Sequence, residues 1–282
     1  MRPHWLRVKL PAGRNYHEMK VFLREKRLHT VCEEAICPNI GECFEQRTAT
    51  FLILGDTCTR QCGFCAVKRG SPSGIDFEEP LRIAEAVRKM ELKYVVITSV
   101  TRDDLSDGGA SVYAETIKCI REVVKDCKIE VLIPDFGGNL EALEAVITTG
   151  PDVLNHNIET VPRLYSCVRP AADYKRSLAL LKNSQEKNPS LITKSGLMVG
   201  LGEQWDEIIS VMQDIRNAGC DMLTIGQYLS PKRNALPVQR YYTPDEFDRL
   251  RWEGKRTGFK HVESGPLVRS SYHAKMQSEN IF

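Results

Sequence analysis

The chain lacks any run approaching the ~18 consecutive apolar residues of a membrane span, so no transmembrane helix is expected. Its opening, Met1 to Arg14, also lacks the apolar core of a secretory signal and the Arg- and Ser-rich character of an organellar leader. A cytoplasmic location without a membrane partner is the expectation. Charge of one sign is missing too, since 39 Lys and Arg stand against 37 Asp and Glu, a formal +2. No global field favours nucleic acid, and the basic clusters at Arg24, Lys26 and Arg27, at Lys68 and Arg69, and at Lys255 and Arg256 read as solvated faces. Neither internal repeats at solenoid or propeller periods nor low-complexity tracts occur.

What remains is an ordinary globular composition, 42% hydrophobic and 27% charged over 282 residues, enough to bury a substantial core. Short β-branched runs at Phe51–Gly55, Tyr94–Thr98, Ile129–Ile133, Val153–Asn157, Thr193–Val199 and Met222–Gly226 read as strands. Between them lie helical patterns at Pro80–Met90, Ala110–Lys125, Asn139–Thr148, Asp173–Lys187 and Trp205–Ala218. Such alternation predicts parallel βαβ units. Six units predict an α/β fold, a partial (βα)6 TIM-type barrel with N-terminal and C-terminal extensions; periodicity leaves a doubly wound sheet open. The expected division is an extension over 1–48, a barrel over 49–226 and a segment over 227–282, with a helix from about Pro244 to Gly258, closing the barrel mouth. Ligands of such sheets bind at the carboxyl ends of the strands, so residues just after each strand are the first candidates.

Ten cysteines in a chain expected to be reduced call for a metal or catalytic explanation, and six of them lie between Cys32 and Cys65. Cys58, Cys62 and Cys65 follow the first predicted strand with spacing C-x3-C-x2-C. One loop can therefore turn three sulfurs inward, with Gly63 allowing the tight backbone and Phe64 covering the site. Thiolates are the usual ligands of iron–sulfur clusters, and three of them leave one iron of a cubane open to an exchangeable ligand. Structural zinc is the competing reading, but it needs a fourth ligand and usually paired C-x-x-C units. Cys32, Cys37 and Cys43 form a second triad, C-x4-C-x5-C, kept compact by Pro38 and Gly41. Taken alone, it favours iron, with zinc the alternative. Cys119, Cys127, Cys167 and Cys220 are scattered and read as small buried hydrophobes.

The first triad, with an aromatic before its last cysteine, resembles the radical S-adenosylmethionine (SAM) motif. With the second triad fifteen residues upstream, the chain resembles the lipoyl synthase family. The likeness continues in order through Arg2–Lys9, Ala49–Gly55, Thr98–Leu105, Asp107–Ala110, Asn155–Thr160, Val168–Pro170, Gly196–Glu203 and Arg269–Ala274. It implies two [4Fe–4S] clusters and SAM as cofactors. Cys58, Cys62 and Cys65 would hold the catalytic cluster; Cys32, Cys37 and Cys43 would hold an auxiliary one whose fourth ligand is Ser271, with Ser270 the alternative. Phe64, Asn157, Glu159 and Arg169 would contact SAM or its cluster.

The implied activity is sulfurtransfer: insertion of two sulfur atoms at C6 and C8 of an octanoyl group on a lysine of a lipoyl carrier protein, with the auxiliary cluster as donor. Implied partners are a glycine cleavage H protein or 2-oxoacid dehydrogenase E2 lipoyl domain, a ferredoxin or flavodoxin, and an iron–sulfur cluster carrier. One departure is Ala235, where the family usually has histidine.

Blander roles compete at several of these positions. Asp103 and Asp104 would cap the helix from Ala110, Arg169 would pair with Asp173, Lys194 with Glu203, and Ser270 and Ser271 would cap a helix beginning near Tyr272. His156 and His273 read as structural rather than ligating. Rival functions are another dual-cluster radical SAM enzyme, such as a methylthiotransferase or biotin synthase, and a non-catalytic iron–sulfur or zinc scaffold.

Overall fold

In the computed structural model, residues 3–8, 11–279 and 281 are described, the side chains of 278 and 279 excepted. They form two compact units, one of residues 8–60 and 66–153, the other of residues 1–7, 61–65 and 154–282.

The first unit contains strands β1 (His29–Thr30), β2 (Thr50–Ile53), β3 (Thr57–Cys58), β4 (Lys68–Arg69), β5 (Tyr94–Ser99) and β6 (Lys128–Leu132). Their order is β1-β2-β5-β6, with β3 and β4 forming a separate pair. β2, β5 and β6 run parallel, in the register Thr50↔Val96 and Val96↔Glu130, whereas β1 adds to β2 antiparallel. Phe51, Ile53, Ile97 and Val131 are fully buried on these strands, which explains their near-continuous apolar reading. Helices Glu79–Lys89, Ala110–Val123 and Leu140–Ile147 lie side by side, bringing Val87, Ile117 and Val146 into the core. Asn139 caps the third, accepting from the amides of Glu141 and Ala142.

Strand β7 (Val153–Asn155) falls at the junction, and β8 (Ile192–Val199), β9 (Met222–Gln227) and β10 (His261–Gly265) belong to the second unit. There the order is β8-β9-β10, all parallel, with Lys194 and His261 both opposite Met222. β10 is an end strand, as β1 is in the other unit, so the sheet does not close. Ile208, Met212 and Ile215 of helix Trp205–Asn217 pack with Leu223 and Ile225 of β9 and Leu250 of helix Pro244–Thr257. Each such side chain contributes about 1.5–3 kcal/mol on burial. Capping boxes at Gln204/Glu207 and Thr243/Glu246 fix the starts of the two helices.

All six predicted strands and the predicted helices are present, within a few residues at their ends. Additional elements include β1, the β3–β4 pair, β10, the helix Arg14–Glu25 and the short helix Tyr165–Val168. The stretch after Thr30 holds two short helices, Val31–Glu34 and Ile40–Glu45. No described helix is long and apolar enough to cross a membrane.

Candidate active site

In the first unit, parallel strands deliver their following residues to one end. β2 leads through Leu54 and Gly55, both at positive φ (68° and 88°), to Thr57 and Cys58. The buried carboxylate of Glu79 accepts the amide of Leu54 at 2.7 Å and steadies this turn; burial raises the pKa of that carboxyl. The Cys58 sulfur accepts from the amides of Arg60 (3.4 Å) and Thr101 (3.3 Å). The side chain of Arg60 forks onto Asp103, at 2.8 Å to each oxygen, and reaches buried Asp135 at 2.6 Å. Asp104 pairs instead with Arg102 at 2.8 Å. Both acidic side chains are thus engaged by arginines, and the cap of helix Ala110–Val123 falls to Asp107. That carboxylate accepts from the amides of Gly109 and Ser111, each at 2.8 Å.

The upstream triad also lies wholly in the first unit. Cys32 is buried on helix Val31–Glu34, Cys43 sits on Ile40–Glu45, and Cys37 lies between the two. Backbone bonds draw the loop together, Cys37 N–H to the Cys32 carbonyl (3.1 Å) and Cys43 N–H to that of Asn39 (2.9 Å). Burial first, then the neighbouring Cys37, pushes Cys43 up to about 12, and the same two causes raise Cys32 further. Among the described residues no group of three His, Cys, Asp or Glu is gathered as a single metal ion requires. A cubane makes a different demand, because each thiolate meets a different iron and the sulfurs stand farther apart.

The second unit receives Cys62, Gly63, Phe64 and Cys65. Gly63 donates to the carbonyl of Val168 (2.8 Å) and accepts from Leu236 (3.0 Å); a Cβ there would lie 2.8 Å from the Leu236 side chain. Phe64 packs with Val168, Leu201 and Tyr228. The segment around Ala235 therefore buttresses the cysteine loop through its neighbour Leu236, using a main-chain bond that does not depend on the residue type at 235. Cys167 is exposed, contrary to the buried reading, because the short helix Tyr165–Val168 turns it outward while Val168 packs inward. Cys119, Cys127 and Cys220 are buried as expected, and burial pushes Cys220 up to about 12.

Beyond β7, Asn157, Glu159, Arg169 and Ser270 gather in one place. Ser270 Oγ donates to Asn157 Oδ1 (2.9 Å), and Asn157 Nδ2 donates to Glu159 Oε1 (3.0 Å). Gly196 of β8 makes the room, since a Cβ there would lie 2.7 Å from Asn157 Oδ1 and 3.0 Å from Ser270 Oγ. Glu159 is held at φ 69°, an uncommon conformation for a non-glycine residue, by main-chain bonds to Gly196 and Met198. Burial raises the pKa of its carboxyl, opposed by Arg169, the Asn157 hydrogen bond and Arg269.

Arg169 is buried rather than superficial, donating to the carbonyls of Asn157 and Ile158. Its alternative partner Asp173 instead caps helix Tyr174–Lys187 at the Arg176 amide. The Nε of Arg169 is buried without a hydrogen-bond partner. Lys194 lies near the start of β8, whereas Glu203 lies past its end, accepting the amides of Gly200 (2.6 Å) and Leu201 (2.9 Å). Lys194 and Glu203 thus lie toward opposite ends of β8. Ser270 is committed to Asn157 and does not cap the terminal helix, which begins at Ala274 rather than near Tyr272.

A family model of the radical SAM superfamily matches residues 52–215, and one for the N-terminal domain of lipoyl synthase of the radical SAM family matches residues 1–37. The curated lipoyl synthase of Rubrobacter xylanophilus is 59% identical over 279 residues, covering 99% of this chain and 87% of that protein. That of Koribacter versatilis is 55% identical over 279 residues, with 99% and 92% covered. The chain belongs to the lipoyl synthase family.

Solved structures extend the likeness at the level of fold. Methylornithine synthase superposes with a TM-score of 0.53 at 14% identity, covering 92% of this chain and 84% of the other. Streptococcus suis SuiB bound to SAM gives 0.59 at 13%, covering 81% and 54%. The fold is the open α/β barrel type read from the strand–helix alternation. As a lipoyl synthase family member the protein is a radical SAM enzyme, with a [4Fe–4S] cluster and SAM as cofactors. The residues fit these groups: none of the six cysteines of the two triads is tied up in a disulfide, Cys58 already receives two amide donors, and Arg169 has an unsatisfied buried N–H for an anionic ligand.

Proposed function

We propose that this member is a sulfurtransferase that inserts two sulfur atoms, at C6 and C8, into an octanoyl chain amide-linked to a lysine of a lipoyl carrier domain. The carrier would be a glycine cleavage H protein or a 2-oxoacid dehydrogenase E2 domain. The observation that carries this reading is the second thiol triad, Cys32, Cys37 and Cys43, set in one compact unit on two short helices and the turn between them, with main-chain bonds from Cys37 to Cys32 and from Cys43 to Asn39. A generator of radicals needs only one triad; a second one supplies a place for a cluster that is itself the sulfur-donating substrate. Ser271 is the proposed fourth ligand of that cluster, as the likeness of Arg269–Ala274 to the family implies, with Ser270 the alternative. Because the donor is consumed, an iron–sulfur cluster carrier and a ferredoxin or flavodoxin complete the proposed set of partners.

Cys58, Cys62 and Cys65 would hold the other cluster, which with SAM supplies one electron and a radical able to take hydrogen from an unactivated carbon. The protein's own contribution is placement. Arg169 presents a planar donor to a carboxylate, and the Asn157–Glu159 pair offers directional polar contacts beside it. The apolar packing around Phe64 excludes water from that side of the loop.

The direct test is mass spectrometry after anaerobic incubation with SAM, reductant and either an octanoyl-lysyl peptide or free octanoic acid. The peptide is expected to gain two sulfurs and the free acid to react far more slowly. Equal rates would contradict a carrier-bound substrate, and 5′-deoxyadenosine without any sulfur product would contradict sulfurtransfer.

A further inference from the structure

Arg60 lies within the cysteine loop in sequence, and its side chain is engaged in an acidic clamp. The side chain is 7% exposed and its guanidinium makes three charged hydrogen bonds, two to Asp103 after β5 and one to Asp135 after β6. Asp135 has a fully buried side chain and also accepts the amide of Gly137 at 3.2 Å. Thr59 ties the same strip of backbone to the β5 loop: its amide and hydroxyl both donate to the Thr101 carbonyl, at 3.1 and 3.0 Å. The Asp103 amide in turn donates to the Thr59 hydroxyl at 3.1 Å. The consequence falls on Cys58, whose sulfur accepts the Arg60 and Thr101 amides that this lattice fixes in place.

We propose that Arg60, clamped by Asp103 and Asp135, is a positioning residue that aims two main-chain N–H groups at the Cys58 sulfur and so sets the affinity and reduction potential of the cluster bound there. The inference rests on the assignment of Cys58, Cys62 and Cys65 as cluster ligands. Hydrogen bonds to ligand sulfurs stabilise the more negative reduced state, so losing them lowers the potential. Partners beyond the ligands themselves commonly tune metal affinity by about 10–100-fold. Only arginine can satisfy both carboxylates, because one planar fork engages Asp103 at two points while the same nitrogen reaches Asp135; lysine offers a single point of charge.

The test uses the full chain carrying Cys32→Ala, Cys37→Ala and Cys43→Ala, so that one cluster remains. In that parent, Arg60→Lys keeps the charge and removes the fork. EPR-monitored redox titration is expected to show a potential shifted negative, and a chelator should strip the cluster faster by on the order of tenfold. Arg121→Lys is the control. Arg121 makes a comparable fork onto the Cys127 carbonyl and Asp152, remote in sequence from the loop, so its loss should lower the melting temperature and move neither readout. Asp103→Asn, at a 42% exposed side chain that folding tolerates, should shift both readouts in the same direction by less. An Arg60→Lys or Asp103→Asn protein with unshifted potential and stripping rate overturns the clamp. A parent that takes up no iron overturns the ligand assignment, and the clamp with it, a result distinct from a loaded but unshifted variant.

Discussion

The two cysteine arms solve the same problem in opposite ways. The arm from Cys32 to Cys43 is mainly local: short helices and bonds between near neighbours, such as Cys37 to Cys32 and Thr48 to Cys43, shape it within one unit, and Asn15 of helix Arg14–Glu25 holds its far end at the Glu45 carbonyl. The loop from Cys58 to Cys65 is held from outside. Distant residues grip it at each end, Thr101, Asp103 and Asp135 at Cys58, and Val168 and Leu236 at Gly63. An arm folded mainly through its own neighbours would suit the proposed cluster that gives up its sulfur. A loop anchored by the carboxyl ends of several strands suits a cluster that must keep one geometry.

The largest effects separate the arms by function. Replacing Cys58, Cys62 and Cys65 with alanine should abolish SAM cleavage while iron remains at the other arm. Replacing Cys32, Cys37 and Cys43 should leave SAM cleavage and stop sulfur insertion. Chromatographic measurement of 5′-deoxyadenosine beside product mass spectrometry reads both, and sulfur insertion by the second variant would break the comparison.

Stability gives a smaller contrast. Gly63→Ala places a Cβ 2.8 Å from Leu236 and 2.9 Å from the Cys167 carbonyl, so it should cost about 1–3 kcal/mol in denaturant unfolding and weaken iron binding at that loop. The smallest expected effect is in the other arm. Ile36 is exposed at φ 52°, a left-handed conformation unfavourable for a β-branched residue, and Ile36→Asn should raise stability by roughly 1 kcal/mol. A neutral Gly63→Ala together with a destabilising Ile36→Asn would reverse the assignment of which arm is strained and which is gripped.

Much of this was legible in the sequence because it is periodic or clustered. Six buried strands announce themselves as β-branched runs, and six cysteines in two tight spacings define the arms. β10 escaped because His261–Gly265 alternates buried and half-buried residues around Glu263, too polar to stand out as a core strand. Helices of four and six residues around Cys32 and Cys43 are shorter than a hydrophobic period can reveal. The role of Arg60 was hidden for a different reason. Its partners lie 43 and 75 residues away and meet it only because β2, β5 and β6 run parallel and end together. Lys194 and Glu203 show the converse, near in sequence but placed apart by an eight-residue strand.

The central claim, that the Cys32–Cys37–Cys43 arm holds the sulfur that reaches the product, is tested most directly by isotope. The protein would be reconstituted with heavy-isotope sulfide, freed of excess reagent, and allowed one turnover on an octanoyl-lysyl peptide in unlabelled buffer with SAM and reductant. The account predicts that both inserted sulfurs are heavy and that product stops at one equivalent per chain. Light sulfur in the product, or heavy product from the Cys32→Ala, Cys37→Ala, Cys43→Ala variant, would contradict it.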